Sequence, residues 1–220
     1  MSRNLIKINF KSCIIFKKKY IYFNLYWKKF DMKANSKNIL KNKYYYKNLA
    51  KENKIFLYPT DSIYWIGAIA NKENSKKIYK IKKRDKNKAL SIIAPNKSWI
   101  KENFITKENF EERFKYYFEN YKTITLLLEK VDKNSLPGIW INNKVWIRII
   151  KHPFQDFINY LWEAFITTSA NLSSKANINN PNQLDKEVFE NIDIIVDEWN
   201  IYGKASTIID FTDNEKIIRN

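Results

Sequence analysis

Short apolar runs alternate with helix-like stretches from about residue 38 onward, and this alternation constrains the fold more than any other feature. Runs rich in β-branched and apolar residues predict strands. They lie at 54–58, 90–94, 123–128, 145–150, 165–168, 192–196 and 206–210. Helices are predicted at 39–52, 72–83, 107–119, 154–163 and 183–191. Helices interleaved with strands are typical of the α/β class.

The composition excludes several classes of protein. The 220 residues are 45% hydrophobic and 29% charged, which suits one globular domain. No run of 18 apolar residues occurs, so a membrane-spanning helix is not expected. Cys13 is the single cysteine, which excludes a disulfide within the chain and fits a cytoplasmic protein. With His152 as the single histidine, a usual zinc site is not expected, nor is a Ser-His-Asp or Cys-His enzyme unless His152 is its base.

The formal charge of +17 is concentrated at the N-terminus, where residues 1–50 carry 13 Lys and Arg and one acid. We predict a basic extension over 1–37 and a catalytic domain over 38–220. The extension has no signal-peptide pattern. It is either an arm that contacts RNA or an anionic surface, or a translated upstream frame whose true start is Met32. Abundant Lys, Asn and Ile also fit an AT-rich genome, so the charge alone does not identify a partner.

Four polar clusters follow predicted strands or helices, at 58–64, 82–88, 167–174 and 206–210. In open α/β sheets, ligands bind beyond the carboxyl ends of strands, so such clusters are candidate sites. Each also has a purely structural interpretation: a capped turn, a solvated run of charge, a Ser/Thr turn and a simple strand.

In this order and spacing, the clusters resemble the YrdC/TsaC family of threonylcarbamoyl-AMP synthases. The family segments YPTDTVYGLG, KxR, VGVRxP, TSANLSG, STIVD and ILR resemble residues 58–67, 82–84, 145–150, 168–174, 206–210 and 217–219. The resemblance covers about residues 40–220. The family's WPGPxT segment is degraded, and only Thr125 is kept. The resemblance implies a YrdC-like open twisted mixed sheet, flanked by helices around a basic cleft.

The resemblance also implies a reaction. L-threonine, bicarbonate and ATP, with Mg²⁺ expected on the ATP and no protein metal site, would give threonylcarbamoyl-adenylate and diphosphate. A threonylcarbamoyl transferase complex would then modify the tRNA adenosine beside the anticodon. Lys82 and Arg84 are the predicted catalytic residues, holding the triphosphate. The predicted substrate and ATP ligands are Thr60, Tyr64, Thr125, Arg148, Ser169, Asn171, Ser206 and Arg219.

These ligands divide by expected partner. The carboxylate of threonine is assigned to Arg148, and the threonine or carbamate pocket to Thr60 and Tyr64. The remaining five face phosphate oxygens or the nucleotide. His152 is expected to be structural. Two other functions stay open: an RNA-binding YrdC-like module without synthase activity, and a carbamoyl-transfer relative of the hydrogenase maturation proteins. RNA binding would be salt-sensitive and indifferent to threonine and ATP.

Glycine occurs 3 times, where about 15 would be usual, and tryptophan occurs 7 times. The residues Trp65, Trp146, Trp162 and Trp199 all fall where the family pattern has glycine. A tryptophan in a glycine turn would force a positive φ on a bulky residue or block a ligand's approach. We hypothesise that these codons are UGA, read as glycine in the source cell. The alternative is a divergent or inactive member of the family.

Overall fold

The computed structural model describes residues 33–139, 142–173, 175–203 and 206–219. Its strands within those ranges are β1 (Lys33–Ala34), β2 (Phe56–Pro59), β3 (Tyr64–Gly67), β4 (Ser91–Ile93), β5 (Ile124–Glu129), β6 (Lys144–Arg148), β7 (Phe165–Ser169), β8 (Ile194–Val196), β9 (Thr207–Asp210) and β10 (Lys216–Arg219). They form one open sheet in the order β1-β8-β2-β3-β7-β4-β6-β5-β9-β10. The sheet is mixed: β1–β8, β8–β2, β4–β6 and β5–β9 are parallel pairs, and the others are antiparallel.

The helices are α1 (Ser36–Lys41), α2 (Lys43–Lys51), α3 (Lys72–Lys82), α4 (Lys97–Asn103), α5 (Phe110–Asn120), α6 (Phe154–Leu161) and α7 (Lys186–Glu190), with a 3₁₀ turn at Pro181–Gln183. Asparagine side chains cap three of them. Asn35, Asn71 and Asn96 each accept a hydrogen bond from the backbone N–H three residues later. Asparagine is among the best N-cap residues, because its side chain satisfies a free N–H of the first turn.

The two faces of the sheet bury separate cores, since alternate side chains of a strand point to opposite faces. Leu57, Ile92 and Ile166 belong to the larger core, which also holds side chains of α3, α4 and α5. Phe56 and Phe165 belong to the smaller core, which α1, α2 and α6 cover.

The α/β class and most predicted elements are confirmed, with boundary shifts of a few residues. The predicted helix 39–52 is two helices, which meet at Asn42. Strands β1, β3 and β10 and helix α4 were not predicted. β3 has four residues and ends in Gly67, so it gives little periodic signal. A Cβ at Gly67 would lie 1.8 Å from the carbonyl oxygen of Ile166, so the close approach of β7 requires glycine there.

Residues 33–37, assigned above to the N-terminal extension, pack with the domain. Lys33 and Ala34 pair in parallel with β8, and the backbone N–H of Ser36 donates to Glu198 at 2.7 Å. The rest of the extension, residues 1–32, lies outside the described residues. Within the described part of the chain, every helix is too short or too polar to cross a lipid bilayer.

Candidate active site

Thr125, Arg148 and Ser169 lie on the sheet face of the smaller core, beyond the region that the helices cover, whereas Lys82 and Arg84 come from the C-terminal end of α3, which packs on the larger core. This core draws its strand residues from β1, β2, β4, β7 and β8. In the described residues, β5, β6, β9 and β10 add no side chain to it. Ser91 and Trp146, which pair between β4 and β6, are only half-buried on this side. This part of the face is therefore partly exposed at Ser91 and Trp146.

Lys82 ends α3 and places its ammonium group at the end of β7. Its side chain is 2% exposed. Its Nζ donates to the carbonyl oxygen of Ser169, and to Ser169 Oγ and Asn171 Oδ1, both at 3.2 Å. All of these acceptors are neutral, and no described carboxylate forms an ion pair with it. Burial, with a smaller contribution from the charge of Arg84, lowers the pKa of Lys82 from 10.5 to about 7.

The segment after β7 wraps around the C-terminal end of α3. Ser173 donates to the carbonyl oxygen of Lys82 through its backbone N–H at 3.2 Å and its Oγ at 3.0 Å. Asn171 Nδ2 donates to the carbonyl oxygen of Lys175. The amide of Asn171 is thus oriented with its oxygen toward Lys82. These contacts bring three predicted site residues, Lys82, Ser169 and Asn171, into one cluster.

The side chain of Arg84 stabilises the loop that follows α3 through hydrogen bonds to backbone carbonyl groups. The loop turns at Lys83, whose φ of 49° is left-handed. Arg84 Nε donates to the carbonyl oxygen of Lys88 at 3.2 Å, and Nη2 to that of Ala89 at 2.9 Å. The guanidinium is half-buried beside the Lys82 cluster. Two cations therefore stand together where α3 meets the sheet.

Arg148 ends β6 and is 1% exposed. Its Nη2 forms an ion pair with Asp61, whose other carboxylate oxygen accepts from the backbone N–H of Lys151 at 3.0 Å. Arg148 Nε and Nη1 are buried without a hydrogen-bond partner. The indole of Trp65 lies over the guanidinium, with 5.0 Å between the guanidinium carbon and the ring centroid. Burial lowers the pKa of Arg148, and the neighbouring Asp61 opposes that shift.

Thr125, Ser206 and Arg219 form a third cluster. The hydroxyls of Thr125 and Ser206 are 2.7 Å apart. Arg219 donates to the carbonyl oxygen of Ser206 through Nε at 3.1 Å and Nη2 at 2.8 Å. These contacts join β5 to the end of the chain across β9.

Strand register links the three clusters. Trp65 pairs with Ser169, which connects the Arg148 and Lys82 clusters. The Leu126–Ile147 pair leaves Thr125 and Arg148 adjacent one step further along β5 and β6. The charge of Arg219 is near enough to lower the pKa of Arg148. Thr125, Arg148 and Ser169 thus share one face, and Lys82 reaches Ser169 from the end of α3.

Thr60 and Tyr64 are held in local structure instead. Thr60 Oγ1 donates to the carbonyl oxygen of Ile63 at 2.8 Å and accepts from two backbone N–H groups, as in a capped turn. Tyr64 belongs to the larger core, on the opposite face from Trp65. Its hydroxyl donates to the carbonyl oxygen of Trp199 and accepts from Glu198 N–H, both at 2.9 Å. Burial raises the pKa of Tyr64.

Asp61 and Trp65 are the members of the site that the sequence did not assign. Asp61 was recognised as part of a polar turn, but its partner Arg148 is 87 residues away. The pairing therefore depends on the sheet order, which no local pattern encodes. His152 caps the entry to α6 by accepting from Phe154 N–H at 3.2 Å, consistent with a structural role. The described residues contain no group of three or more His, Cys, Asp or Glu arranged to hold a metal ion.

The four tryptophans at expected glycine positions fall into two groups. Trp162 and Trp199 have left-handed φ values of 59° and 61°, which confirms the expectation of positive φ there. Trp65 and Trp146 lie in the strands β3 and β6 without positive φ, so a strained turn was the wrong expectation at those two positions. Their indoles instead occupy the sheet face that carries the site residues.

Comparison with known proteins finds one family across most of the chain. A family model for Sua5, YciO and YrdC, described as "Telomere recombination", matches residues 48–220. A Methanocaldococcus jannaschii protein, provisionally named a threonylcarbamoyl-AMP synthase, is 32% identical over 75% of this chain and 77% of its own length. A Haemophilus ducreyi protein named threonylcarbamoyl-AMP synthase is 28% identical over 57% of this chain and 70% of its own length.

Solved structures share the fold. Escherichia coli YciO superposes with a TM-score of 0.68 at 17% identity, covering 79% of this chain and 86% of YciO. P. abyssi Sua5 complexed with L-threonine superposes with a TM-score of 0.61 at 24% identity, covering 76% of this chain. The chain spans about half the length of that Sua5. These likenesses confirm the expected YrdC-like fold, and the chain belongs to the Sua5, YciO and YrdC family.

Proposed function

We propose that this chain is a threonylcarbamoyl-AMP synthase. The names of the two relatives and the L-threonine complex of P. abyssi Sua5 support this assignment. The observation that carries it in this chain is Lys82, a buried ammonium held by neutral acceptors only, beside Arg84. Such a cation is stabilised by an anion, and a triphosphate would supply one.

The proposed reaction has two steps. The amine nitrogen of threonine bonds to the carbon of bicarbonate and water leaves, which gives a carbamate. A carbamate oxygen then bonds to the α-phosphorus of ATP in line, while the bond from that phosphorus to diphosphate breaks. The second step depends on positioning and charge neutralisation more than on a covalent nucleophile. Lysine, arginine, hydroxyl and amide groups suffice for that task, and these are the groups that the three clusters supply.

Each cluster then has a role. Lys82 and Arg84 neutralise the triphosphate, with Ser169 and Asn171 fixing the ammonium and donating to phosphate oxygens. Arg148 has two nitrogens without a partner and is assigned to the carboxylate of threonine. Thr125, Ser206 and Arg219 are assigned to the nucleotide. Because the hydroxyls of Thr60 and Tyr64 are engaged with backbone groups, we assign them to the shape of the threonine pocket.

Mg²⁺ is expected to arrive with the triphosphate as part of the substrate, since this ion is commonly held by phosphate oxygens and water. The adenylate would pass to a transferase complex that modifies tRNA in the cytoplasm. The alternative is carbamoyl transfer, as in the hydrogenase maturation proteins that contain a similar domain. Substrate dependence separates the two.

The test is diphosphate release by the full chain with threonine, bicarbonate and ATP, each omitted in turn. We expect release only with all three present. Lys82→Ala and Arg84→Ala should each lower the rate by ~10²–10³-fold, because each removes a donor that stabilises developing charge. Lys80→Ala is the matched control, an exposed lysine of the same helix. Release without threonine, or near wild-type rates in both site variants, would contradict the proposal.

A further inference from the structure

Buried donors without partners concentrate at one point of the molecule. Six side-chain polar atoms in the described residues are buried without a hydrogen bond, and three of them belong to Arg148 and Trp65: Nε and Nη1 of the arginine and Nε1 of the indole. Leaving a buried donor unsatisfied is costly, so native structures avoid it. Three such donors in two touching side chains therefore require a physical reason.

The geometry supplies one. Asp61 neutralises Arg148 only through Nη2. The indole, 5.0 Å from the guanidinium carbon, lies over the group, and Trp65 is partly exposed whereas Arg148 is 1% exposed. The ring therefore separates the guanidinium from solvent. On that side of the guanidinium, a carboxylate would have to displace the ring to reach Nε or Nη1.

We propose that the Trp65 indole is a cover over an anion site on Arg148, and that a carboxylate binds only when the ring moves aside or is absent. The covered group is chemically a carboxylate site, because an arginine with free donors prefers planar oxyanions. Its identification with the carboxylate of L-threonine rests on the proposed function. Trp65 then sets the affinity for the amino acid without itself taking part in the reaction.

The size of the effect follows from the population of the open state. The apparent dissociation constant equals the intrinsic one divided by the fraction of molecules in which the site is open. For an open fraction of roughly 1–10%, the cover weakens binding by about 10–100-fold. Trp65→Gly removes the cover and should recover that factor.

The experiment is calorimetric titration of the full chain with L-threonine and with L-threoninol, which lacks the carboxylate. We expect Trp65→Gly to bind L-threonine ~10–100-fold more tightly than wild type, with no such gain for L-threoninol. Trp65→Gly/Arg148→Lys should lose most of the gain. Trp162→Gly, which changes an exposed tryptophan at the end of α6, is the control and should leave affinity unchanged. If Trp65→Gly binds L-threonine no more tightly than wild type, the proposal that the Trp65 ring covers Arg148 is wrong. If Trp65→Gly does not fold, Trp65→Ala replaces it.

A second measurement is independent of the substrate. Phenylglyoxal reacts with accessible guanidinium groups, and peptide mass spectrometry reports each arginine separately. Arg148 should be protected in wild type and reactive in Trp65→Gly, with Arg113 as the internal reference, because its guanidinium is already partly exposed. Equal reactivity of Arg148 in both proteins would overturn the cover. If Arg148 becomes reactive but neither protein binds threonine, the cover stands and the proposed substrate is wrong.

Discussion

At the scale of single residues, Lys82 is the clearest link between sequence and chemistry. The sequence identified Lys82, Ser169 and Asn171 as separate members of two motifs, and their contacts span 87 and 89 residues. A local pattern predicts residue types and the ends of elements. It does not predict which side chains meet, because that depends on β7 lying beside β3 and β4.

The lowered pKa of Lys82 predicts a pH dependence of stability. The folded value is about 7, whereas an unfolded lysine titrates near 10.4, so the unfolded chain binds more protons between these values. The free energy of unfolding contributed by this group therefore rises as pH increases from about 7 to about 10. Urea unfolding of wild type and Lys82→Met at pH 7 and pH 9.5 tests this.

Wild type should gain stability relative to Lys82→Met at the higher pH, since other groups titrate alike in the two proteins. A bound polyphosphate should raise the pKa of Lys82, because its negative charge favours the ammonium form. The gain in stability of wild type over Lys82→Met between pH 7 and pH 9.5 should then become smaller. A relative loss of stability at pH 9.5 would show that the ammonium is not destabilised by burial.

At the scale of elements, the end of α6 is strained. Trp162 is the C-cap of α6 and has a φ of 59°. Its backbone N–H donates hydrogen bonds to the carbonyl oxygens of Ile158 and Asn159, both at 3.2 Å. Helices commonly end on a left-handed residue, usually glycine. α6 therefore ends in the usual left-handed conformation, but the residue in that conformation has a bulky side chain that disfavours it.

Replacing that side chain should stabilise the protein. Trp162 is 51% exposed, so removing the ring forfeits little burial, while glycine relieves about 1–2 kcal/mol of backbone strain. Trp162→Gly should raise the melting temperature by roughly 2–4 °C per kcal/mol. Trp162→Ala is the matched control: it removes the same ring but keeps a Cβ, and should gain less. Equal gains in both variants would assign the effect to the ring instead of the backbone.

At the scale of the whole molecule, the alternation of elements was enough for the fold class but not for the sheet. The order β3-β7-β4-β6 places segments that are distant in sequence side by side. That order brings the Lys82, Arg148 and Thr125 clusters close to one another. Short strands such as β1 and β10 carry too few residues for a periodic signal, and long-range pairing alone defines them.

Glycine use across the chain bears on the recoding hypothesis. A Cβ at Gly203 would lie 2.4 Å from Ser62 Cα, so this glycine, like Gly67, stands where a side chain cannot fit. Trp162 and Trp199 are conformationally glycine positions, and Trp199 is 77% exposed. Trp65 and Trp146 have no positive φ, and their indoles lie on the sheet face that carries Arg148 and Thr125. If all four are glycine in the source cell, recoding explains two observations. It explains the positive φ of Trp162 and Trp199, and it explains why Trp65 and Trp146 place bulky rings where the family has glycine.

The recoding hypothesis therefore predicts different effects for the two pairs of tryptophans. Changing Trp162 and Trp199 to Gly in a recombinant chain should raise the melting temperature with little effect on activity. Changing Trp65 and Trp146 to Gly should raise activity and need not raise stability, because neither residue has a positive φ and a partly buried ring normally contributes to packing. Mass spectrometry of the protein from its source cell decides the matter. Peptides that carry tryptophan at the four positions would contradict recoding, and would leave a divergent enzyme whose ligand must displace the Trp65 ring from Arg148.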